Sequence, residues 1–319
     1  MSSTIMVTGS LGFIGSRLTG QLLDDGFDVI GVDCATDAYN PAEKLARLET
    51  LRVHPHYRHS GVDLADASLD GLLSGVEVVY HLAGRAGVRE SFTSFAKYRH
   101  DNVEATDNLL VSVRRAPSVR RLVYASSSSV YGNADLPFRE DGHTNPLSPY
   151  GQSKLDAERL CLESDGKDVQ TMALRYFTVY GPGQRPDMGL RLFAEAAIER
   201  RPLTLFGDGT QSRDFTYVDD IVAATRRAAD TSVSGLAINV GGGSRITLLE
   251  VFEILAELTD EDITINYESF ARGDAMHTGA SLERSESILG FKAQVDFRSG
   301  YSAQVKWLQS LLSNAGRKG

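Results

Sequence analysis

A tyrosine and a lysine four positions apart, Tyr150 and Lys154, fall in a segment with helical periodicity. Residues at that spacing share one helix face, so the ammonium stands beside the phenol. A nearby cation favours phenolate, which lowers the phenol pKa toward neutrality and makes it a usable proton acceptor. The serine run Ser126 to Ser129 directly follows a strand-like segment and offers a hydroxyl, that of Ser127, to relay or orient the proton. Neither pattern is specific alone: 12 tyrosines generate the first by chance, and a run of serines is also how a polar loop reads.

A second group of residues is suited to hold an anion. Gly9, Gly12 and Gly15 stand between a buried strand and a helix. The first glycine permits a tight turn, the second lets backbone approach a pyrophosphate, and the third lets helix and strand pack closely. Thirty glycines would supply chance matches, but Asp33 ends the next strand, where a dinucleotide's adenosine ribose would lie. A carboxylate there accepts hydrogen bonds from both ribose hydroxyls and repels a 2′-phosphate, which selects NAD over NADP. The alternative is a structural turn with Asp33 as a helix cap.

The elements that must position these groups alternate. Ile5–Thr8 reads as a strand, Gly12–Leu23 as a helix and Val29–Asp33 as a strand; a third strand ends at Asp63, and Val76–Leu82 is a fourth. A helix spans Asn102–Ala116, followed by a strand over Arg121–Ser126, a helix over Tyr150–Glu163 and a sixth strand over Thr171–Tyr180. This is the pattern of a doubly wound α/β fold with a parallel sheet, Rossmann-like, and it places the serines at the carboxyl end of a strand, where ligands bind. After the Gly181–Pro186 loop the character changes. Helices over Leu190–Arg200, Thr247–Leu258 and Ser299–Leu312, a Gly-Asp-Gly turn at 207–209 and a strand over Ala237–Val240 predict a smaller, discontinuous α/β substrate domain. The expected division is 1–180 and 181–319, with segments near 210–242 returning to the first sheet.

Composition narrows the function classes. With 33 basic and 42 acidic residues the net charge is −9, which disfavours nucleic acid as the main partner. The two cysteines, Cys34 and Cys161, form neither a metal-binding spacing nor a disulfide framework, so no metal is expected and a reducing cytoplasm fits. A strand by Ile5 leaves no room for a signal peptide, and no 20-residue apolar run marks a membrane span.

Taken in order, these stretches resemble the extended short-chain dehydrogenase/reductase family, in its nucleotide-sugar epimerase and dehydratase branch. The resemblance rests on Val7 to Gly15, Tyr80-His81-Leu82-Ala83-Gly84, Ser126 to Gly132, Tyr150 to Lys154, Leu174 to Pro182, Gly207-Asp208-Gly209 and Arg213 to Asp220, and it spans nearly the whole chain. It implies that Gly9, Gly12, Phe13, Ile14 and Gly15 hold the pyrophosphate of NAD and Asp33 its ribose. Asp63 and Leu64 would flank the adenine, while Leu82, Ala83 and Asn102 line the cofactor channel. Ser127, Tyr150 and Lys154 would be catalytic, Lys154 also orienting the nicotinamide ribose, with Tyr176 and Val179 bordering the nicotinamide. On the substrate side it implies a UDP-sugar held by Ser128, Thr178, Thr204, Gln211, Arg213 and Asp274.

Departures from the pattern sharpen the expectation. Many relatives have Asn where this chain has Thr178, and uronate epimerases resemble this chain at that position. Ser128-Ser129 replaces the Asp-Glu of 4,6-dehydratases, so their usual acid and base are missing. Arg272 and Ala271 fall where the family's Arg-Pro-Gly-Asp has proline and arginine, which leaves a diphosphate contact from Arg272 open. The Gly183–Met188 loop resembles that of glucuronate 4-epimerases, so Arg185 could pair with a sugar carboxylate. The leading expectation is C4 epimerisation of a UDP-hexose through a transient 4-ketone, in a homodimer joined by helices near 102–116 and 150–163. The alternatives are dehydration from the same ketone and, from another class, an NAD-sensing binding module without turnover.

Overall fold

The computed structural model describes residues 3–36, 39–166 and 169–316. Its strands are β1 (Thr4–Thr8), β2 (Asp28–Val32), β3 (Tyr57–Ser60), β4 (Val76–His81), β5 (Arg121–Ser127), β6 (Gln170–Tyr176) and β7 (Val179–Tyr180). Then come β8 (Leu203–Phe206), β9 (Ser212–Asp214), β10 (Thr216–Tyr217), β11 (Leu236–Val240), β12 (Arg245–Thr247) and β13 (Ile265–Glu268). Seven of them form the main sheet in the order β11-β6-β5-β4-β1-β2-β3, with every pairing parallel. The chain leaves β1 toward β2 on one side and returns to β4 on the other, so the carboxyl ends of β1 and β4 flank the point where strand order reverses. A crevice opens at such a point.

Parallel strands covered on both faces read as continuous apolar runs, as β1 does. Alternation along each strand then distributes side chains between two cores. Ile5 and Val7 pack with Leu18, Leu22 and Val29 on one face, while Met6 packs with Ile30, Val79 and Leu109 on the other. A third cluster lies apart from the sheet: Leu190, Leu203, Leu205, Phe252, Leu255, Tyr301 and Leu308. Segments after residue 210 return to the sheet through Ile221 and Val222 of helix Val218–Asp230, through β11, and through Leu289 and Phe291.

Three elements differ from the sequence expectation. The third strand ends at Ser60, where its partner β2 ends at Val32, and Asp63 sits in the following loop with Oδ1 accepting from the Ala65 amide at 2.9 Å. The sixth strand breaks after Tyr176 because β11 ends at Val240 and three glycines follow it. Val179–Tyr180 resumes as β7, paired with β10 in a separate small sheet. The Asn102–Ala116 helix enters through a π-helical segment, Arg99–Glu104, before the α-helix Ala105–Val113. A helix not expected from periodicity, Pro41–Arg52, follows β2; its cap was legible in Asn40, whose side chain accepts from the Ala42 amide, and in Pro41 at the first turn.

Candidate active site

The crevice at the reversal point has a volume of about 960 Å³ and runs from the first glycine turn to the third apolar cluster. Gly9 opens it with φ +69, and a Cβ there would lie 2.8 Å from the Ala83 amide nitrogen. A Cβ on Gly15 would sit 2.0 Å from the Gly9 carbonyl oxygen, so helix and turn meet in a way only glycine permits. Gly12 caps helix Phe13–Asp24, whose first turn carries no acid, leaving its amide groups and partial positive charge facing the crevice. This is a cradle for a pyrophosphate, and Phe13 and Ile14 line it with the glycines.

Asp33 is buried at the end of β2 and accepts from the Leu11 amide at 3.2 Å and the Ala35 amide at 2.9 Å. It also accepts from Lys44 Nζ at 2.9 Å, an ion pair in which both side chains are nearly enclosed. Lys44 lines the same part of the crevice and was missed by the sequence reading, because the helix that carries it was missed. The carboxylate expected beside the ribose therefore has a cation against it. Cys34, Asp63 and Leu64 complete that end. Asp63, Asp66 and His100 bring three atoms of ligand type within 4.8 Å of one another there, while His100 Nδ1 also bonds Asp101 at 2.9 Å.

Leu82 and Ala83 line the middle of the crevice, but Asn102 lies behind them. Its Oδ1 accepts from the Arg85 amide at 2.7 Å, and its Nδ2 donates to the Arg85 carbonyl and to Ser153 Oγ. Asn102 thus ties the loop at Arg85 to Ser153 of helix Pro149–Glu163 and does not line the channel. His81 does comparable work one strand over. It bonds Thr8 Oγ1 at 2.7 Å and Thr106 Oγ1 at 2.9 Å, and Thr8 Oγ1 accepts from the Ala83 amide. Burial and the charge of Lys154 lower the His81 pKa to about 3, so this network is neutral.

The expected chemical group converges. Ser127 ends β5, and Tyr150 and Lys154 lie one turn apart on helix Pro149–Glu163, which Ser148 caps by accepting from the Gly151 amide at 3.1 Å. All three line the crevice. Ser126 does not compete for the role: its hydroxyl donates at 2.5 Å to Glu158, itself paired with Arg175 at 2.6 Å in a buried network. The electrostatics correct one expectation. The Tyr150 pKa lies above its ordinary 10, because burial outweighs the Ser127 hydrogen bond and the positive charge of Arg185. Lys154 Nζ sits 4.4 Å from the centre of the Tyr124 ring, and burial pushes its own pKa down to about 8. Desolvation, which sequence spacing does not report, governs both groups.

Toward the third cluster, Tyr176, Thr178, Val179, Ser128, Arg185, Thr204, Gln211, Arg213 and Asp274 all line the crevice. Tyr176 is fixed by a 2.7 Å bond between its hydroxyl and Thr225 Oγ1. Arg213 donates to the carbonyls of Ser212 and Met276, and burial lowers its pKa, partly offset by Asp274. Gln211 is occupied with the Gly207–Gly209 turn, donating to the Phe206 carbonyl and accepting from the Gly209 amide. Arg272 does not line the crevice; its guanidinium lies 4.4 Å over the Phe92 ring. Arg89, not singled out by sequence, lies 3.9 Å over the Phe206 ring and 3.6 Å from Asp274. Arg185 forks onto Asp187 at 3.0 and 2.7 Å.

The signature of the NAD dependent epimerase/dehydratase family matches residues 5–241. The chain is 36% identical to a UDP-glucuronate 4-epimerase of Thermodesulfobacterium geofontis, over 95% of each chain. It is similar to the crystal structure of UDP-glucuronic acid 4-epimerase from Bacillus cereus in complex with UDP-glucuronic acid and NAD. That similarity has a TM-score of 0.93 at 34% identity and covers 97% of this chain and 99% of the other. It is also similar to MoeE5 in complex with UDP-glucuronic acid and NAD, with a TM-score of 0.89 at 40% identity, covering 97% and 100%.

Proposed function

The chain belongs to the NAD-dependent epimerase/dehydratase family, and from that premise we propose that it inverts C4 of UDP-glucuronate, interconverting it with UDP-galacturonate. It is an NAD-dependent UDP-sugar 4-epimerase by its relatives; the uronate is the finer step. One observation carries it. Arg185 borders the sugar end of the crevice with its guanidinium already on a carboxylate, that of Asp187, beside Thr178 and Ser128. A sugar carboxylate can take the place of Asp187 without leaving the cation unpaired, and the planar fork suits such a group.

Gly9, Gly12, Phe13, Ile14 and Gly15 would hold the pyrophosphate of NAD, Asp33 with Lys44 the adenosine ribose, and Asp63 with Leu64 the adenine. Leu82, Ala83, Tyr176 and Val179 would line the rest of its channel. NAD, when bound, would serve as the reversible acceptor of the C4 hydride. Tyr150 would take the C4 hydroxyl proton only as phenolate, a form that burial disfavours and that the positive charges of Lys154 and of the bound nicotinamide would favour, and it would return the proton on reduction; Ser127, hydrogen-bonded to the phenol, would orient it. Lys154, which lines the crevice one turn along the helix from Tyr150, would orient the nicotinamide ribose and favour the phenolate form of Tyr150. Thr204, Gln211, Arg213 and Asp274 would hold the uridine diphosphate.

Dehydration is not favoured. Ser128 and Ser129 follow Ser127 with hydroxyls only, and the Ser129 amide donates to Ser127 Oγ at 3.1 Å, fixing the turn. We divide the molecule into an NAD-binding part, 1–180 with later returning segments, and a sugar-nucleotide part from 181, in keeping with the separate third cluster. Free Cys34 and Cys161 suit a cytoplasmic setting, and among the described residues no helix is long and apolar enough to cross a membrane. We also propose a homodimer joined through helices Ala105–Val113 and Pro149–Glu163, which pack against each other within the chain.

Incubation of the NAD-loaded enzyme with UDP-glucuronate in deuterated water tests the assignment. The expected product is UDP-galacturonate of unchanged mass with no deuterium at carbon. Loss of about 18 mass units, or deuterium at C5, would move the chain to the dehydratases, and epimerisation of UDP-glucose alone would refute the uronate reading.

A further inference from the structure

Helix Pro41–Arg52 carries Lys44 to Asp33, and the same helix reaches across to the sugar end of the crevice. Glu43 accepts from Arg191 at two points, Oε1 from Nη2 at 2.7 Å and Oε2 from Nη1 at 3.1 Å. Arg47 Nη2 lies 3.4 Å from the same Oε2. Each of these two guanidiniums also holds a carbonyl of the loop that leads into Arg185. Arg47 Nη2 donates to the Gly183 carbonyl at 2.8 Å, and Arg191 Nη1 donates to the Gln184 carbonyl at 2.7 Å. Arg47 Nη1 donates in addition to the Leu11 carbonyl, inside the pyrophosphate turn, at 3.0 Å.

From this geometry we infer that Glu43 is a positioning residue for the sugar-facing loop: by holding Arg47 and Arg191 on the carbonyls of Gly183 and Gln184, it fixes the point from which Arg185 extends. The inference rests on the assignment of Arg185 to the sugar carboxylate. Two guanidiniums brought to adjacent carbonyls repel each other, and the carboxylate between them removes that repulsion. Arg191 is almost enclosed, so burial alone would push its pKa down. Its bonds to Glu43 and Glu195 reverse this and raise the pKa. Without Glu43, one buried cation keeps only Glu195, and the pair has less reason to stay on the loop. Because Lys44 and Arg47 ride on the same helix, the ribose acid, the pyrophosphate turn and the sugar loop share one rigid frame. That frame sets the register between cofactor and sugar.

The test compares Glu43→Gln, Arg185→Met and the double variant as NAD-loaded full-length proteins, with UDP-glucuronate and UDP-glucose as probes and thermal melting as the control. Glu43→Gln should raise the KM for UDP-glucuronate about tenfold with kcat nearly held, the signature of lost uniform binding. The double variant should have a KM no higher than that of Arg185→Met, since both changes remove one interaction. A purely structural role would lower the melting temperature and the active fraction and leave KM alone. A folded Glu43→Gln enzyme with the parent KM, or effects that multiply in the double variant, overturns the inference. Should Glu43→Gln fail to fold, Arg47→Ala frees the Gly183 carbonyl while leaving the Glu43–Arg191 fork in place; an unchanged KM there overturns it equally. An Arg185→Met variant that raises KM alike for both sugars overturns the carboxylate assignment instead, and the KM of Glu43→Gln then still decides whether Glu43 positions the loop.

Discussion

Lys154 is a charge the fold carries at its own expense, and replacing it separates stability from catalysis. Burial lowers its pKa from an ordinary 10.5 to about 8. Between those values the unfolded chain binds more protons than the folded one, so the native state carries a penalty. The penalty is complete below about pH 8, fades as the pH climbs, and is gone above the unfolded value. At 1.36 kcal/mol per pKa unit it amounts to about 3 kcal/mol at neutral pH, net of whatever the contact with the Tyr124 ring returns. Lys154→Met keeps the aliphatic stem and removes the charge. Denaturant unfolding of the cofactor-free protein should show the variant more stable by up to about 3 kcal/mol at pH 6.5, with the difference shrinking through pH 8 to 10. The same variant should lose at least about a hundredfold in turnover, because the cation near the phenol is gone. A Lys154→Met protein that is less stable than the parent at pH 6.5, or a difference flat across that range, would refute the desolvation argument.

Tyr150→Phe should retain NAD, measured by its absorbance after release, and lose at least roughly a hundredfold in kcat; Ser127→Ala should lose less, since it orients the proton that Tyr150 moves. A near-normal rate for Tyr150→Phe would assign the proton transfer to another group. At the ribose end, Asp33→Asn should weaken NAD by roughly tenfold or more and narrow its advantage over NADP, because Lys44 is left without its anion and is free to meet a 2′-phosphate. Titration of both cofactors into the stripped protein reads this, and an unchanged ratio would show that Asp33 does not select between them.

Much of the site was legible because its determinants are local. The glycines at 9, 12 and 15, the apolar runs of β1 and β4, and the one-turn spacing of Tyr150 and Lys154 act through backbone sterics and element period, which a few neighbouring residues express. They predicted the parallel sheet and that the glycines, Asp33, Ser127, Tyr150 and Lys154 face its crevice; the other lining positions were implied by the family resemblance, and of those Asn102 does not line it. What only the tertiary structure decided involves partners far apart in the chain or the exclusion of water. The sixth strand ends where β11 runs out of partner atoms, and Asn102 is spent on the loop at Arg85. Asp33 meets Lys44 because a helix folds back over the end of β2, and Glu43 meets Arg191 from 148 positions away. Charge arithmetic along a helix placed the Tyr150 phenol near neutrality, whereas the assembled walls of the crevice raise its pKa by removing water. Hydrogen-bond period is a property of a segment, while desolvation is a property of everything packed around it.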